Sequence, residues 1–381
     1  MYEFIYNYYI YAYKCAETGS NMSYTIPIGP YHPSLEEPVN VKLTVDGEKI
    51  KDAEVFIGYN HRGIEKLAQD RNFIQTITLV ERVCGICSHS HAWTYCRCIE
   101  QIAGLEVSKR AEYIRDIIEE LERIHSHFLW LGVACHIIGH DSMFMQIWDD
   151  REDTMKMLET LTGNRVNYAM NIVGGVRRDI TSEKCSALLT YCDETEEKMK
   201  RITEFLTTDK TIAMRTKGVG VLTHDDAIRI GAIGPHARAS GIDTDIRRDA
   251  PYSSYDDFDF KVCTCDSCDV YARVVVRALE IFESIKILRQ AVSNLPDGAL
   301  NNGNKIPRVP AGEFTARHEA PRGQLIYKVV TDGGQTNKRL CVHVPTFKNA
   351  PTIPTMLKGN TVADAGLIVA SIDPCFSCMD V

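Results

Sequence analysis

The sequence contains no run of apolar residues approaching the roughly 20 that a membrane span requires, so any work at a membrane needs other subunits to hold it there. It also lacks an excess of positive charge. Lys and Arg number 43 against 51 Asp and Glu, a net charge of −8, which argues against a phosphate-binding surface and sets nucleic acid aside as a partner. No export signal opens the chain: residues 1–21 are tyrosine-rich, without a basic start or an apolar core. A secreted disulfide protein is therefore excluded. There is no internal repeat and no low-complexity segment. A hydrophobic share of 44% with 25% charged residues is the profile of a soluble globular protein.

What the chain has in quantity is cysteine, fourteen in 381 residues. Without an oxidising compartment these read as reduced thiols in a reducing cytoplasm, some of them metal ligands. Met22 directly precedes a segment that reads as a domain start, so residues 1–21 are expected to be an appended tail or an unused upstream start. Residues 22–381 are expected to form a single domain.

Within that domain, residues 39–45 alternate apolar and polar, Asp46-Gly47 follows, and a second short apolar stretch runs from 50 to 57, which predicts a β-hairpin region over 39–57. From Ser108 to Ile138 apolar residues recur at three- and four-residue spacing and become continuous towards 129–135, predicting a long helix with a buried C-terminal half. Helical patterns return at 150–161, 182–206 and 269–292, giving a helical core over 64–292. Proline and glycine punctuate 293–324, the stretch 325–357 looks extended, and a last short helix covers 361–370, so 293–381 reads as a mainly extended C-terminal region. The fold class expected is mainly α with small antiparallel β-sheets (α+β), a helical bundle with sheets near both ends.

Two C-x-x-C pairs lie at opposite ends of the domain: Cys84-Gly85-Ile86-Cys87 and Cys375-Phe376-Ser377-Cys378. That spacing lets two thiolates converge on one metal. Four soft ligands select zinc, iron–sulfur, copper(I) or a nickel–iron centre, and spacing alone leaves all of these open.

The surroundings are more specific. Arg82-x-Cys-Gly-Ile-Cys with His91 beyond it, and the terminal Asp373-Pro374-Cys-x-x-Cys, resemble the paired signature of nickel–iron hydrogenase large subunits. The resemblance extends over residues 29–33 (Gly-Pro-Tyr-His-Pro), 61–66 (His-Arg-Gly-Ile-Glu-Lys), 162–165 (Thr-Gly-Asn-Arg), 174–179 (Gly-Gly-Val-Arg-Arg-Asp) and 320–323 (Ala-Pro-Arg-Gly). Several of these segments also occur in the quinone-site large subunit of respiratory complex I, which lacks the metal cysteines. With all four present, the chain is similar to the branch between the two, the energy-converting, membrane-associated hydrogenases.

The resemblance implies a nickel–iron centre whose iron carries carbon monoxide and cyanide. Cys84 and Cys375 would be terminal nickel ligands, and Cys87 and Cys378 would bridge the metals. Glu37 matches the first proton-relay glutamate, its bland alternative being a solvated turn carboxylate like its neighbour Glu36. Arg322 matches an arginine held over the open coordination site, Thr346 a hydroxyl donating to cyanide, and Asp373 a residue that orients Arg322. An ordinary salt bridge is the alternative for that pair. His91 reads as a further supporting donor or as a satisfied core histidine. Glu65 matches a ligand of structural Mg2+ in many relatives. Here the chain departs from the pattern: it ends Met379-Asp380-Val381, with valine where His or Arg is expected, which counts against the magnesium. A gene without a cleaved C-terminal extension is the expectation that follows.

The implied partners are a small iron–sulfur subunit, membrane subunits of a larger complex and ferredoxin as electron partner, with the chain peripheral on the cytoplasmic side of the membrane. The rival readings are a quinone-type module without nickel and a scaffold held by zinc. Cys263, Cys265 and Cys268 crowd one short segment but supply only three local ligands, so idle or buried thiols are expected there. Cys96 and Cys98 read as core residues. His125 and His127, two apart on the long helix, do not share a face and make a poor metal pair.

Overall fold

The computed structural model describes residues 23–33, 35, 37–302 and 308–381; the expected tail, residues 1–21, and Glu36 lie outside the described residues. The hairpin expected from Asp46-Gly47 is formed by β2 (Asn40–Asp46) and β3 (Lys49–Phe56). Gly47 supplies the positive φ of the turn (60°), and Val41, Leu43 and Val45 point inward at alternate positions. A strand with no clear sequence signal, β1 (Tyr24–Ile28), adds to β2 in antiparallel register, giving a three-stranded sheet in the order β1-β2-β3.

Two short helices, α1 (Ile64–Gln69) and α2 (Phe73–Glu81), lead to the first cysteine motif. Asn72 and Gln75 form a capping box that starts α2. Helix α3 (Ser88–Ala103) follows the motif, and α4 (Lys109–Ile138) runs through the middle of the molecule. The Ser108 hydroxyl accepts the Ala111 N–H at its start, and Gly139 ends it at φ 102°. Helix α4 packs against α5 (Asp141–Thr162) and α7 (Val270–Ser293), and α6 (Ser182–Thr208) packs on both of these. Between α5 and α6 lies the small hairpin of β4 (Asn171–Ile172) and β5 (Gly175–Val176).

Burial along α4 extends well beyond the C-terminal half. Ile117, Ile118, Leu121, Ile124 and Phe128 are fully buried, each contributing about 1.5–3 kcal/mol of transfer free energy. Arg115, Asp116, Glu119, Glu120, Glu122 and Arg123 are buried beside them. Burial of charge is expensive unless partners are supplied. For the arginines and Glu120 they are: Arg115 meets Glu100 at 2.6 Å, and Glu120 meets Arg247 at 3.0 Å and Arg123 at 3.4 Å.

The C-terminal region is a correction to the extended reading. Strand β6 (Ala311–Ala320) lies inside the punctuated stretch and pairs with β7 (Gly323–Asp332), which pairs with β8 (Arg339–His343). Extended structure stops there. Helix α8 (Pro345–Asn349) and a second short helix at Ile353–Leu357 carry their prolines in the first two positions, where the missing N–H costs nothing. Helix α9 (Ala365–Ser371) matches the expected last helix, and α10 (Phe376–Met379) carries the second motif. The architecture is thus mainly helical with small antiparallel sheets. Among the described residues no helix is long and apolar enough to cross a membrane.

Candidate metal centre

Cys84 lies in the turn after α2, and Cys87 is the residue that opens α3. Cys375 opens α10, and Cys378 sits on it. The second motif is suspended from the helical core. Trp130 of α4 donates its indole N–H to the Ala370 carbonyl at 2.7 Å, and Arg273 of α7 donates to the Ser371 hydroxyl at 3.0 Å. Asp373 turns the chain at φ 54°.

The two ends meet. Cys84 Sγ lies 3.6 Å from Cys375 Sγ, Cys87 Sγ lies 3.6 Å from Cys378 Sγ, and Cys375 and Cys378 are 3.0 Å apart. All four are buried. The ligand atoms of Cys84, Cys87 and Cys378 lie within 4.8 Å of one another, the only such group of three metal-ligating side chains among the described residues. A metal–thiolate bond of about 2.3 Å lets one ion or a close pair reach sulfurs at this spacing. The donor set therefore fits a thiolate-bound metal. Hydrogen bonds with the other thiols, that of Cys375 foremost, hold the Cys84 thiol well below its usual range, whereas burial pushes Cys378 well above.

Beside the sulfurs is an enclosed cavity of about 10 Å³, the size of one water-sized ligand, walled by Ala320, Leu325 and Val344 and by Arg322, Thr346 and His91. Arg322 occupies the two-residue turn between β6 and β7. Its Nε donates to the Asp373 carbonyl at 3.0 Å, and its terminal nitrogen lies 2.8 Å from the Asp373 carboxylate. Thr346 Oγ1 accepts the Cys375 N–H at 2.9 Å, which leaves its own hydrogen free. His91 Nδ1 lies 2.6 Å from the Tyr327 hydroxyl, and burial pulls its pKa down to about 4, so the ring is neutral.

Glu37 reaches the same place from the N-terminal region. Its Oε2 accepts the N–H groups of Phe376 and Ser377, its Oε1 accepts the Ser377 hydroxyl at 3.1 Å, and Oε1 lies 3.9 Å from Cys375 Sγ. Burial raises its pKa above the ordinary carboxyl value.

Glu65 stands apart from this constellation. Its two oxygens accept the Val342 N–H at 2.8 Å and the Arg339 guanidinium at 3.1 Å. A carboxylate already held by a guanidinium, and in no group of three candidate ligands among the described residues, does not fit a divalent cation. The thiols of Cys263, Cys265 and Cys268 diverge to separate partners: the Lys261 carbonyl, the Ser267 hydroxyl and the Asp266 carbonyl. His125 and His127 also diverge, to the Ile86 carbonyl and to Glu280.

Three contributors carry little sequence signal. Arg62 donates to the carbonyls of Val83 at 2.8 Å and Ser377 at 2.7 Å, so one guanidinium clasps both cysteine loops. Its place in His-Arg-Gly-Ile-Glu-Lys was the only hint. Asp380 accepts the N–H groups of Gly58 and Asn60 at 3.0 and 2.9 Å, tying the C-terminal segment to the N-terminal region. The Ser126 hydroxyl lies 3.4 Å from Arg322.

Comparison with known proteins agrees with this arrangement. Residues 138–307 and 301–381 match the family described as respiratory-chain NADH dehydrogenase, 49 Kd subunit, and residues 62–133 match nickel-dependent hydrogenase. The carbon monoxide-induced hydrogenase of Rhodospirillum rubrum is 41% identical over 94% of this chain and 99% of its own length. The membrane-bound hydrogenase subunit alpha of Pyrococcus furiosus is 42% identical over 93% of this chain and 87% of its own length. A chain of the membrane-bound sulfane sulfur reductase, an archaeal respiratory membrane complex, superposes with a TM-score of 0.90 at 30% identity, over 94% of this chain and 98% of that one. The chain belongs to the oxidoreductase family of large subunits shared by nickel-dependent hydrogenases and the 49 Kd subunit of respiratory-chain NADH dehydrogenase.

Proposed function

We propose that this chain is the catalytic large subunit of a nickel–iron hydrogenase, carrying out the reversible heterolytic cleavage of H2 to protons and electrons. The observation that carries the reading is the convergence of four buried sulfurs, two from residues 84–87 and two from 375–378, beside a cavity that admits only a very small molecule. A nickel–iron pair with carbon monoxide and cyanide on the iron supplies, when bound, the Lewis acidity that polarises H2.

The chain's own residues do the rest. The thiolates of Cys84, Cys87, Cys375 and Cys378 would hold the metals. Arg322, fixed by Asp373, aims a permanent positive charge and several donors at the cavity. Thr346, which lines the cavity, would donate its hydroxyl hydrogen to a small ligand there. The released proton passes from Cys375 Sγ to Glu37 Oε1, a carboxyl whose raised pKa suits it to accept and return protons. Glu37 also fixes the Cys-x-x-Cys turn by accepting its N–H groups, so one side chain positions the ligand and serves the proton.

The same reading places a small iron–sulfur subunit against the chain to carry electrons, ferredoxin as their donor or acceptor, and membrane subunits that couple turnover to ion movement, with this chain peripheral on the cytoplasmic side. The membrane subunits in this reading are supported by the membrane-bound hydrogenase relative. Magnesium at Glu65 is not part of the reading.

Elemental analysis and infrared spectroscopy of the anaerobically purified complex test the reading. Nickel and iron near one each per chain, with carbon monoxide and cyanide bands, are expected. Stoichiometric zinc without those bands would instead make this a scaffold subunit. Absence of nickel would favour a quinone-type module, the reading to which the 49 Kd subunit match over residues 138–381 lends weight.

A further inference from the structure

Helix α4 carries a stripe of polar side chains through the buried centre of the molecule: Glu112, Asp116, Glu119, Glu122 and Ser126. Their spacing of three and four residues keeps them on one face, over about 21 Å of helix. Asp116, Glu119, Glu122 and Ser126 are fully buried. The lower end opens into a polar cavity of about 450 Å³ whose walls include Glu112, Arg97, Tyr252 and Ser253. The upper end is Ser126, whose hydroxyl faces Arg322 beside the four sulfurs.

Two serines bridge the carboxyls in pairs. Ser253 Oγ lies 2.5 Å from Glu112 Oε2 and 3.1 Å from Asp116 Oδ2. Ser90 Oγ, from α3, lies 2.9 Å from Glu119 Oε1 and 2.6 Å from Glu122 Oε1. A hydroxyl has one hydrogen and can donate to one carboxyl only. Both contacts of each serine are hydrogen bonds only if one carboxyl of the pair carries a proton and donates to the serine oxygen. The alternative places two negative charges side by side at the serine, which burial opposes even though Glu122 also accepts the N–H groups of His89 and Ser90.

Beyond these bonds, the buried polar atoms without a partner include Asp116 Oδ1 and Ser254 Oγ beside the lower pair and the Tyr168 hydroxyl, on which the charges of Glu122, Arg151 and Glu119 act. Elsewhere in the core the carboxylates are answered by guanidinium groups, as Glu280 is by Arg238. Around these pairs the guanidinium groups stand further off, Arg115 3.4 Å from Glu112 and Arg123 3.9 Å from Glu119, His318 at 3.1 Å from Glu119 is kept neutral by burial, and the serine hydroxyls make the shortest contacts.

The geometry points to a proton relay along α4, joining the open cavity at Glu112 and Ser253 to Ser126 and Arg322, with one proton held in each serine-bridged pair. Each hop moves one proton from a carboxyl oxygen to the next acceptor and refills the vacated oxygen from behind, so no charge accumulates in the core. The route is separate from Glu37, whose contacts are with Cys375, Phe376 and Ser377. Burial, the foremost cause for all three, keeps the carboxyls of Asp116, Glu119 and Glu122 above the ordinary range, Glu119 at about 8. The inference rests on the hydrogenase reading only for what gives or takes the proton at the Arg322 end.

Infrared spectra of the intact complex, in H2O and after transfer to D2O, test it. The wild type is expected to show a carboxylic-acid C=O band that the double substitution Glu119→Gln/Glu122→Gln removes. That band is expected to shift on deuteration, and Ser253→Ala, at the rim of the cavity, to slow the shift about tenfold. A band unaffected by the double substitution overturns the relay, as does a deuteration rate that Ser253→Ala leaves unchanged. Should the double variant not accumulate, Ser90→Ala keeps both carboxyls and must move the same band; an unmoved band again overturns the relay. Nickel analysis separates the two readings. The expected band behaviour in nickel-free protein retains the relay and removes the hydrogenase, whereas nickel with no such band does the reverse.

Discussion

The guanidinium of Arg322 and the carboxylate of Asp373 meet 2.8 Å apart, both buried, with Arg322 Nε on the Asp373 carbonyl as well. One residue therefore orients the other through both its side chain and its backbone. Arg322→Lys keeps the charge but loses the fork. The metal content is expected to stay and hydrogen–deuterium exchange to fall roughly a hundredfold, the scale for loss of one oriented donor. An exchange rate equal to wild type would separate Arg322 from the reaction. Asp373→Ala leaves a buried cation uncompensated and should lower stability by about 3–5 kcal/mol in denaturant unfolding.

Glu37→Gln preserves the shape of the side chain and removes its ability to carry a proton. Retained nickel with exchange slowed by about 10²-fold or more is the expected result. Full turnover would take Glu37 out of the proton path.

Glu119 sets a sign for pH dependence. Its pKa rises from 4.5 in the unfolded chain to about 8 in the fold, foremost because it is buried. The folded state then binds more protons than the unfolded state between those values, so this group's contribution is complete below about pH 4.5 and is lost as pH rises through about 8. Its slope is about 1.4 kcal/mol per pH unit at most. Glu119→Gln should flatten the decline in unfolding free energy over that window. A pH profile parallel to wild type would show that Glu119 does not hold a proton there.

Gly234 touches the turn that presents Arg322. A Cβ there would lie 2.5 Å from the Arg322 carbonyl oxygen and from the Gly323 Cα, and Gly234 has φ 67°. Gly234→Ala should cost about 1–3 kcal/mol in strain and move Arg322 off the cavity. Lower thermal stability together with slowed exchange is expected. A variant with lower stability and an unchanged exchange rate would mean that the Arg322 turn tolerates the shift.

The thiols of Cys263, Cys265 and Cys268 point to three different partners. Replacing all three with serine is expected to leave metal stoichiometry unchanged, by elemental analysis, and stability within about 0.5 kcal/mol, the ordinary range for surface substitutions. Loss of a metal ion would reverse that view.

Local rules made several elements legible. Asp46-Gly47 between alternating strands marked the first hairpin, and the three- and four-residue spacing marked α4 almost to the residue. The two C-x-x-C motifs named the four sulfurs, although nothing in their spacing could bring residues 291 positions apart together. What escaped was non-local. The charged half of α4 reads as a solvated face until Arg247 and Glu100 arrive from elsewhere in the chain to pair with Glu120 and Arg115. Pro345 and Pro354 read as breakers in an extended stretch, yet each begins a helix. Arg62 has no local signature, because its partners are carbonyls of two distant loops.

Cys84 and Cys375 are 291 residues apart and still lie within 3.6 Å, and Asp380 is tied back to Gly58 and Asn60. During synthesis, the first two thiols leave the ribosome long before their companions exist. An ion delivered early would find half a site, open to water and to oxidation. Assembly of the four-sulfur site must therefore wait until residues 375–378 have emerged, and their loss would leave the rest of the fold standing around an unfinished pocket.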